Sequence, residues 1–144
     1  MQETFHYLLL SSHLTLQKLI MQALEDTGLT SGQPKILDYL REHDGCIQKD
    51  LADACHVDAA TIVGLLNRME SGGLLSRRQQ DGNRRSFFVY LAEKGRDMAE
   101  CVNQAFERLE EAAFHGFSPE ERRALTEGLR KFNQNLQEMR HRHE

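Results

Sequence analysis

Four arginines lie on either side of a short polar segment near the middle of the chain. Arg77 and Arg78 precede this segment and Arg84 and Arg85 close it, with Asp81-Gly82 between the two pairs. Guanidinium groups bind phosphates and base edges, so arginines clustered at the tip of a hairpin are typical of a nucleic-acid-binding surface. The pattern therefore predicts anion binding at this place.

The distribution of charge along the chain supports that prediction. Residues 61–96 contain seven basic and three acidic residues, a net charge of +4, while the remaining 11 basic and 19 acidic residues give −8. The total over 144 residues is −4. A chain that is acidic overall and basic in its middle is no general polyanion binder, and we expect it to present one basic face.

The arginines follow a helix-turn-helix pattern. Apolar spacing predicts a short helix over Gln48–Ala54 and a second over Ala59–Glu70, with Asp58 as the N-cap of the second and Gly72-Gly73 at its end. Strands are predicted over 74–78 and 86–91, with 79–85 as the loop between them. A helix-turn-helix followed by a basic hairpin predicts a winged helix.

Helices are also predicted on both sides of this module. One covers Glu3–Asp26, one runs from about residue 33 to His43, and two follow Ala92, the last of them with Ser118 as N-cap and Pro119 at its first position. The fold class is therefore mainly α with a minor β part, containing about six helices and a two- to three-stranded wing sheet. We predict a single domain over 1–144 in which a DNA-binding lobe, 30–95, lies within a dimerisation frame of helices from 1–28 and 96–144.

The two ends of the chain carry more apolar side chains than a small lobe can bury. Apolar patches of this size normally mark an interface, which predicts a dimer formed by the first helix and the last two. The residues concerned are Phe5, Leu8, Leu9, Phe114, Phe117, Phe132, Leu136 and Met139.

Short motifs in a fixed order carry a resemblance to a known family. They are Leu29-Thr30-x-x-Gln33, Gln48-x-x-Leu51-Ala52, Ala60-Thr61-Ile62, Leu66-Asn67-Arg68-Met69-Glu70-x-x-Gly73-Leu74-Leu75-x-Arg77, and Arg84-Arg85-x-x-x-x-Tyr90-Leu91-x-Glu93-Lys94-Gly95. At these spacings the chain resembles the MarR family of bacterial transcriptional regulators over nearly its whole length. The resemblance implies a homodimer on a pseudopalindromic operator of double-stranded DNA, and the three cysteines, an odd number without CxxC spacing, predict reduced thiols and a cytoplasmic location. It also implies repression that is relieved by a small, often aromatic, acid or by thiol oxidation.

The resemblance also implies an effector pocket where the first two helices meet the lobe and the fifth helix. His13, Gln17 and Tyr39 are candidates to line it, each with a rival role in core or dimer packing. The sequence departs from the family pattern at Gly64, where a polar or basic residue is frequent. That departure and the acidic remainder of the chain favour an alternative function, a winged-helix module that binds protein.

Eight residues form the predicted DNA-binding set. Arg68 contacts phosphate or guanine, or pairs with an acid near Glu70; Gln48 contacts phosphate or caps its helix. One of Arg84 and Arg85 enters the minor groove and the other holds Asp81, and the sequence does not tell which is which. The full set is Gln48, Thr61, Asn67, Arg68, Arg77, Arg78, Arg84 and Arg85.

Other chemistry finds little support in the sequence. The seven histidines show no HExxH or HxxxH spacing, so we expect no metal site and no cofactor. Nothing resembles a nucleophile elbow, which predicts that the chain is not an enzyme. Of the three cysteines, Cys55 is predicted to be buried in the turn and Cys46 to be exposed; a thiol-based redox-sensing regulator is therefore a second alternative. No apolar run is long enough for a membrane span, so no membrane partner is expected.

Overall fold

The computed structural model describes residues 2–143, together with the side chains of all of them except Gln80, Asn83, Arg84 and Arg85. In this part of the chain the helices are α1 (Phe5–Ala23), α2 (Gln33–Glu42), α3 (Gln48–Ala54), α4 (Ala59–Ser71), α5 (Glu93–Ala113) and α6 (Pro119–Arg142). The strands are β1 (Cys46–Ile47), β2 (Leu75–Gln80) and β3 (Asn83–Leu91). The predicted fold class, mainly α with a small wing sheet, is confirmed. Within residues 2–143, no helix is both long and apolar enough to cross a membrane.

Two helices begin at side-chain caps that the sequence predicted. The Asp58 carboxylate accepts a hydrogen bond from the Thr61 N–H at 2.7 Å, at the start of α4. At the start of α6 the Ser118 hydroxyl accepts from the Glu121 N–H at 3.1 Å, and the Glu121 carboxylate accepts from the Ser118 N–H at 3.0 Å. Both predictions of an N-cap are confirmed. Each cap satisfies amide groups that the first turn of a helix leaves without partners.

The core lies among the helices of the lobe and the wing sheet. One face of each of α2, α3 and α4 is buried, and β3 and α5 close the core from the other side. Its largest fully buried side chains are Leu24, Ile36, Leu37, Leu40, Leu51, Ile62, Leu66, Met69, Val89 and Val102. This packing fixes the orientation of α4, so the opposite face of α4 must point outward.

The wing sheet is antiparallel with the strand order β1-β3-β2. The strands β2 and β3 are longer than predicted and leave only Asp81-Gly82 as the turn, where Gly82 has a φ of +76°. The prediction of a loop over 79–85 is wrong, since polar residues at an exposed hairpin still pair through their backbones. Between the Gln79–Phe87 and Gln80–Asn83 pairs the register shifts, which places residues 84–86 in a bulge of β3.

The first and last helices carry apolar side chains that the chain itself does not bury. The described residues divide into two compact units, of which the first ends at Leu109 and the second begins at Glu110. In the first unit, α1 buries only Ile20 among its residues, and none of the described residues of α6 is buried. Large apolar side chains are exposed on both helices: Phe5, Tyr7, Leu8, Leu9, Leu10, Leu14 and Leu19 on α1, and Leu125, Leu129, Leu136 and Met139 on α6.

Candidate DNA-binding surface

The helix α4 has one buried and one outward face. Ile62, Leu65, Leu66 and Met69 are buried. Ala60, Val63, Gly64, Asn67 and Arg68 recur at steps of three and four residues, and all are exposed except the half-buried Gly64. We call these five residues the outer stripe. An outward stripe on the second helix of a helix-turn-helix is the surface that enters the major groove of DNA.

The start of α4 is held by contacts to Asp58. Besides the N–H of Thr61, the Thr61 hydroxyl also interacts with this carboxylate, and these hydrogen bonds lower the pKa of Asp58 from its ordinary value. Thr61 itself is exposed beside the outer stripe, as a residue that contacts DNA must be. The cap therefore orders the turn that carries Thr61.

We expect Asp58→Ala to lower the melting temperature and to weaken DNA binding, because the first turn of α4 loses its cap. The pKa of Asp58 is lower in the folded than in the unfolded chain. The stability that the charged cap provides is therefore complete above the unfolded pKa and is lost as pH falls through the folded pKa. Asp58→Asn keeps an acceptor without the charge and should lose less. Thermal unfolding by circular dichroism at neutral and acid pH measures this. Equal melting temperatures for wild type and Asp58→Ala at pH 7 would contradict it.

Arg77 connects the outward face of α4 to the wing. Its backbone N–H donates to the Glu70 carboxylate at 2.9 Å and its guanidinium donates to the same carboxylate at 3.2 Å. The guanidinium also donates to the Asn67 side-chain oxygen, and only 15% of the Arg77 side chain is exposed. Through these hydrogen bonds the backbone and guanidinium of Arg77 fix β2 of the wing against α4. Glu70 was considered in the sequence only as a rival partner for Arg68, because spacing along the chain does not show which segments fold together.

Two further arginines of the predicted set lie on the exposed surface. Arg78 is exposed on β2, and its guanidinium lies over the Tyr90 ring, 4.9 Å from the centroid. Arg68 is exposed on α4, and its Nη1 lies 3.8 Å from the position that a Cβ on Gly64 would take. The Arg68 guanidinium therefore extends back along the outer stripe toward the start of α4.

Gln48, Arg84 and Arg85 are the remaining residues of the predicted DNA-binding set. Gln48 is the first residue of α3, and within the described residues no side chain caps the start of this helix, so the capping alternative is wrong. Its Oε1 is buried and has no hydrogen-bond partner among the described residues. The backbones of Arg84 and Arg85 lie in the bulge of β3, and their side chains lie outside the described residues. Their division between the minor groove and Asp81 stays a prediction.

A cavity of about 220 Å³ lies between α1, the start of α2 and α5. His13 and Gln17, two of the three predicted effector-pocket residues, line it, and so does the cation Lys35, which the sequence did not single out. Tyr39 is not among the lining residues and stacks instead on His43, with ring centroids 4.0 Å apart. The other lining residues are Leu16, Ile20, Met21, Ser31, Gly32, Pro34 and Phe106, so the walls are largely apolar.

The cysteines differ in their burial. Cys55 is buried, as predicted, and its thiol donates to the Lys35 carbonyl oxygen at 3.5 Å. Burial raises the pKa of the Cys55 thiol to about 11. Cys46 was expected to be exposed, but it is half-buried because β1 pairs with β3, and burial raises its pKa too. Among the described residues, no three His, Cys, Asp or Glu side chains come together in a way that would hold a metal ion.

Comparison with known proteins identifies the type of fold and surface. The model of the MarR family matches residues 29–87. The transcriptional repressor NicR of Pseudomonas putida is 32% identical over 106 residues, which cover 74% of this chain and 67% of NicR. Both matches include the helix-turn-helix segment.

Solved structures of regulators match nearly the whole chain. A crystal structure of MarR superposes with a TM-score of 0.85 and 27% identity, covering 96% of this chain and 95% of that one. The S. aureus MepR–DNA complex gives 0.83 and 26%, covering 94% and 99%. Bordetella bronchiseptica BpsR, whose DNA binding is regulated by 6-hydroxynicotinic acid, gives 0.78 and 29%, covering 91% and 94%.

Proposed function

Because the chain belongs to the MarR family of DNA-binding transcriptional regulators, we propose that it represses transcription as a homodimer on a pseudopalindromic operator. The observation that carries the proposal is the outer stripe of α4, which Arg77 joins to the basic wing through Glu70 and Asn67. A winged helix of this kind places α4 in the major groove and its wing on the neighbouring backbone or minor groove. The proposed activity is binding without catalysis, and its place is the cytoplasm, where the operator lies.

Footprinting on the DNA upstream of the gene for this chain tests the proposal. Two half-sites should be protected, with centres about one helical turn, roughly 34–36 Å, apart. Protection of one half-site alone would contradict binding as a dimer. No protection at low salt would favour the alternative of a module that binds protein.

We further propose that the cavity beside α1 binds a small aromatic carboxylate that releases the operator. The apolar walls suit an aromatic ring, while Lys35, His13 and Gln17 supply a cation and hydrogen-bonding groups for a carboxylate. BpsR, a regulator with a similar fold, responds to an acid of this class. A ligand there weakens DNA binding if it favours a lobe spacing that does not fit the two half-sites.

We expect Lys35→Ala to weaken binding of 6-hydroxynicotinic acid or a related aromatic carboxylate about 10- to 100-fold, because a charge-assisted hydrogen bond is lost. Lys18→Ala is the matched control, since Lys18 is exposed on α1 and does not line the cavity. Isothermal titration calorimetry measures both variants. If the two variants bind equally well, Lys35 does not hold the carboxylate.

Reaction of a thiol as the regulatory signal is an alternative that the burial of Cys46 and Cys55 argues against, whereas Cys101 is exposed on α5. At pH 7 a thiol with a pKa of about 11 is ionised in roughly one molecule in 10,000, and the thiolate is the reactive form. We expect millimolar hydrogen peroxide to leave operator affinity unchanged in the wild type and in Cys46→Ser. A loss of affinity in the wild type that Cys46→Ser, Cys55→Ser or Cys101→Ser prevents would establish redox sensing.

A further inference from the structure

Val63 is an exposed apolar side chain in the middle of the outer stripe. It is 42% exposed, whereas the other large apolar side chains of α4 are buried in the core. The apolar side chains exposed on α1 and α6 are explained by the proposed dimer, but Val63 lies on the helix proposed to enter DNA. A single exposed valine is ordinary on a protein surface, and Val63 is informative because it lies on the stripe of α4 that would face base edges in the major groove.

The residues around Val63 indicate which group on a base edge its side chain could contact. Ala60 and Gly64, its neighbours on the outer stripe, have no side-chain hydrogen-bonding group, and Thr61 is the polar residue in this first part of α4. In the major groove the apolar group on a base edge is the C5-methyl of thymine. The first turns of such a helix are the part that reaches base edges.

Gly64 and Arg68 would allow this part of α4 to come close to the DNA. Gly64 adds no side chain to this face of α4, and among the described residues a Cβ there would have only Arg68 Nη1 within 4 Å. The Arg68 guanidinium is therefore near the same turn as Val63, where it can hold a phosphate or a guanine while the helix lies deep in the groove.

We propose that Val63 is a specificity-determining residue that reads the methyl group of one thymine in each operator half-site. This inference rests on the proposed function, because it requires α4 to lie in the major groove. It predicts a thymine at a fixed position in both half-sites. A methyl contact also accounts for how this part of α4 could recognise a base, because Ala60, Val63 and Gly64 have no side-chain group that forms hydrogen bonds.

Replacing single thymines of the footprinted operator by deoxyuridine removes one methyl group and nothing else. In each half-site we expect one thymine whose replacement lowers the affinity of the wild type about fourfold. Replacing that thymine in both half-sites at once should lower it roughly sixteenfold. Because Val63→Ala removes the contact in both protomers, this variant should bind the thymine operator roughly sixteenfold more weakly and become insensitive to deoxyuridine at that position. Its salt dependence should match that of the wild type, since no phosphate contact is removed.

Two controls separate this contact from other effects. Arg78→Ala should weaken binding while it keeps the full response to deoxyuridine, and Val63→Ala should melt within about three degrees of the wild type, because Val63 lies outside the core. If the wild type prefers its operator but tolerates deoxyuridine everywhere, or if Val63→Ala keeps the response, the inference about Val63 is overturned and the proposed function stands. Equal binding to all duplexes would overturn both.

Discussion

Gly95→Ala is expected to lower the free energy of unfolding by about 3 kcal/mol, because α5 approaches the backbone before β2 at this residue. A Cβ on Gly95 would lie 1.8 Å from the Leu74 carbonyl oxygen and 2.8 Å from its carbon. Both are backbone atoms, so relief requires one segment to move. The same carbonyl accepts a hydrogen bond from the Ala92 N–H at 2.9 Å, and the Leu74 N–H donates to Met69 at the end of α4. A shift there therefore disturbs α4 and the wing together.

Gly128→Ala is the control at a helical glycine where an added methyl group has space within the described chain. Gly128 lies inside α6, and a Cβ there would have no atom of the described residues within 4 Å. Alanine should stabilise this position by about 0.5–1 kcal/mol, since glycine costs conformational entropy inside a helix. Urea unfolding of both variants at one protein concentration measures the difference. If both substitutions change the free energy of unfolding in the same direction, the predicted clash between a Cβ at Gly95 and the Leu74 carbonyl is contradicted.

Leu129→Glu is expected to give a monomer and to lower operator affinity by at least about 100-fold. Leu129 lies on the exposed apolar side of α6 with Leu125, Leu136 and Met139, and α6 buries none of its described residues within the chain. A glutamate in a dimer interface must be desolvated without a partner. A monomer contacts one half-site only and so loses the avidity that two linked lobes supply.

The monomer is detected by sedimentation velocity at micromolar concentration, and the affinity by fluorescence anisotropy. Gln134→Glu is the control, because Gln134 is exposed away from these leucines and its substitution adds the same charge to α6. We expect that variant to stay a dimer with its operator affinity changed by less than about threefold. A Leu129→Glu protein that remains dimeric would show that α6 does not form the interface.

Features set by neighbouring residues were predictable from the sequence. The caps at Asp58 and Ser118 depend on side chains and amides three residues apart, so the sequence shows them directly. The helices α3 and α4 were placed to within one residue for the same reason. The strand β1 was missed because two residues have no pattern of their own and become a strand only by pairing with β3, about 40 residues away.

Features that depend on two distant segments were predicted in part. The cavity contains His13 and Gln17 as expected, but Lys35 joins it because α2 packs beside α1, while Tyr39 points to His43. In the same way, Arg77 was predicted to contact phosphate from its charge alone. Only the fold shows that Glu70 and Asn67 hold its guanidinium between α4 and the wing.

The affinity of the verified dimer for its footprinted operator, compared with a scrambled duplex of equal length at about 150 mM salt, tests the central claim most directly. We predict that the operator binds at least roughly 1,000-fold more tightly, as specific regulators do, and that both affinities fall as salt rises. Equal affinity for the two duplexes, or no binding of either at low salt, would contradict a sequence-specific regulator.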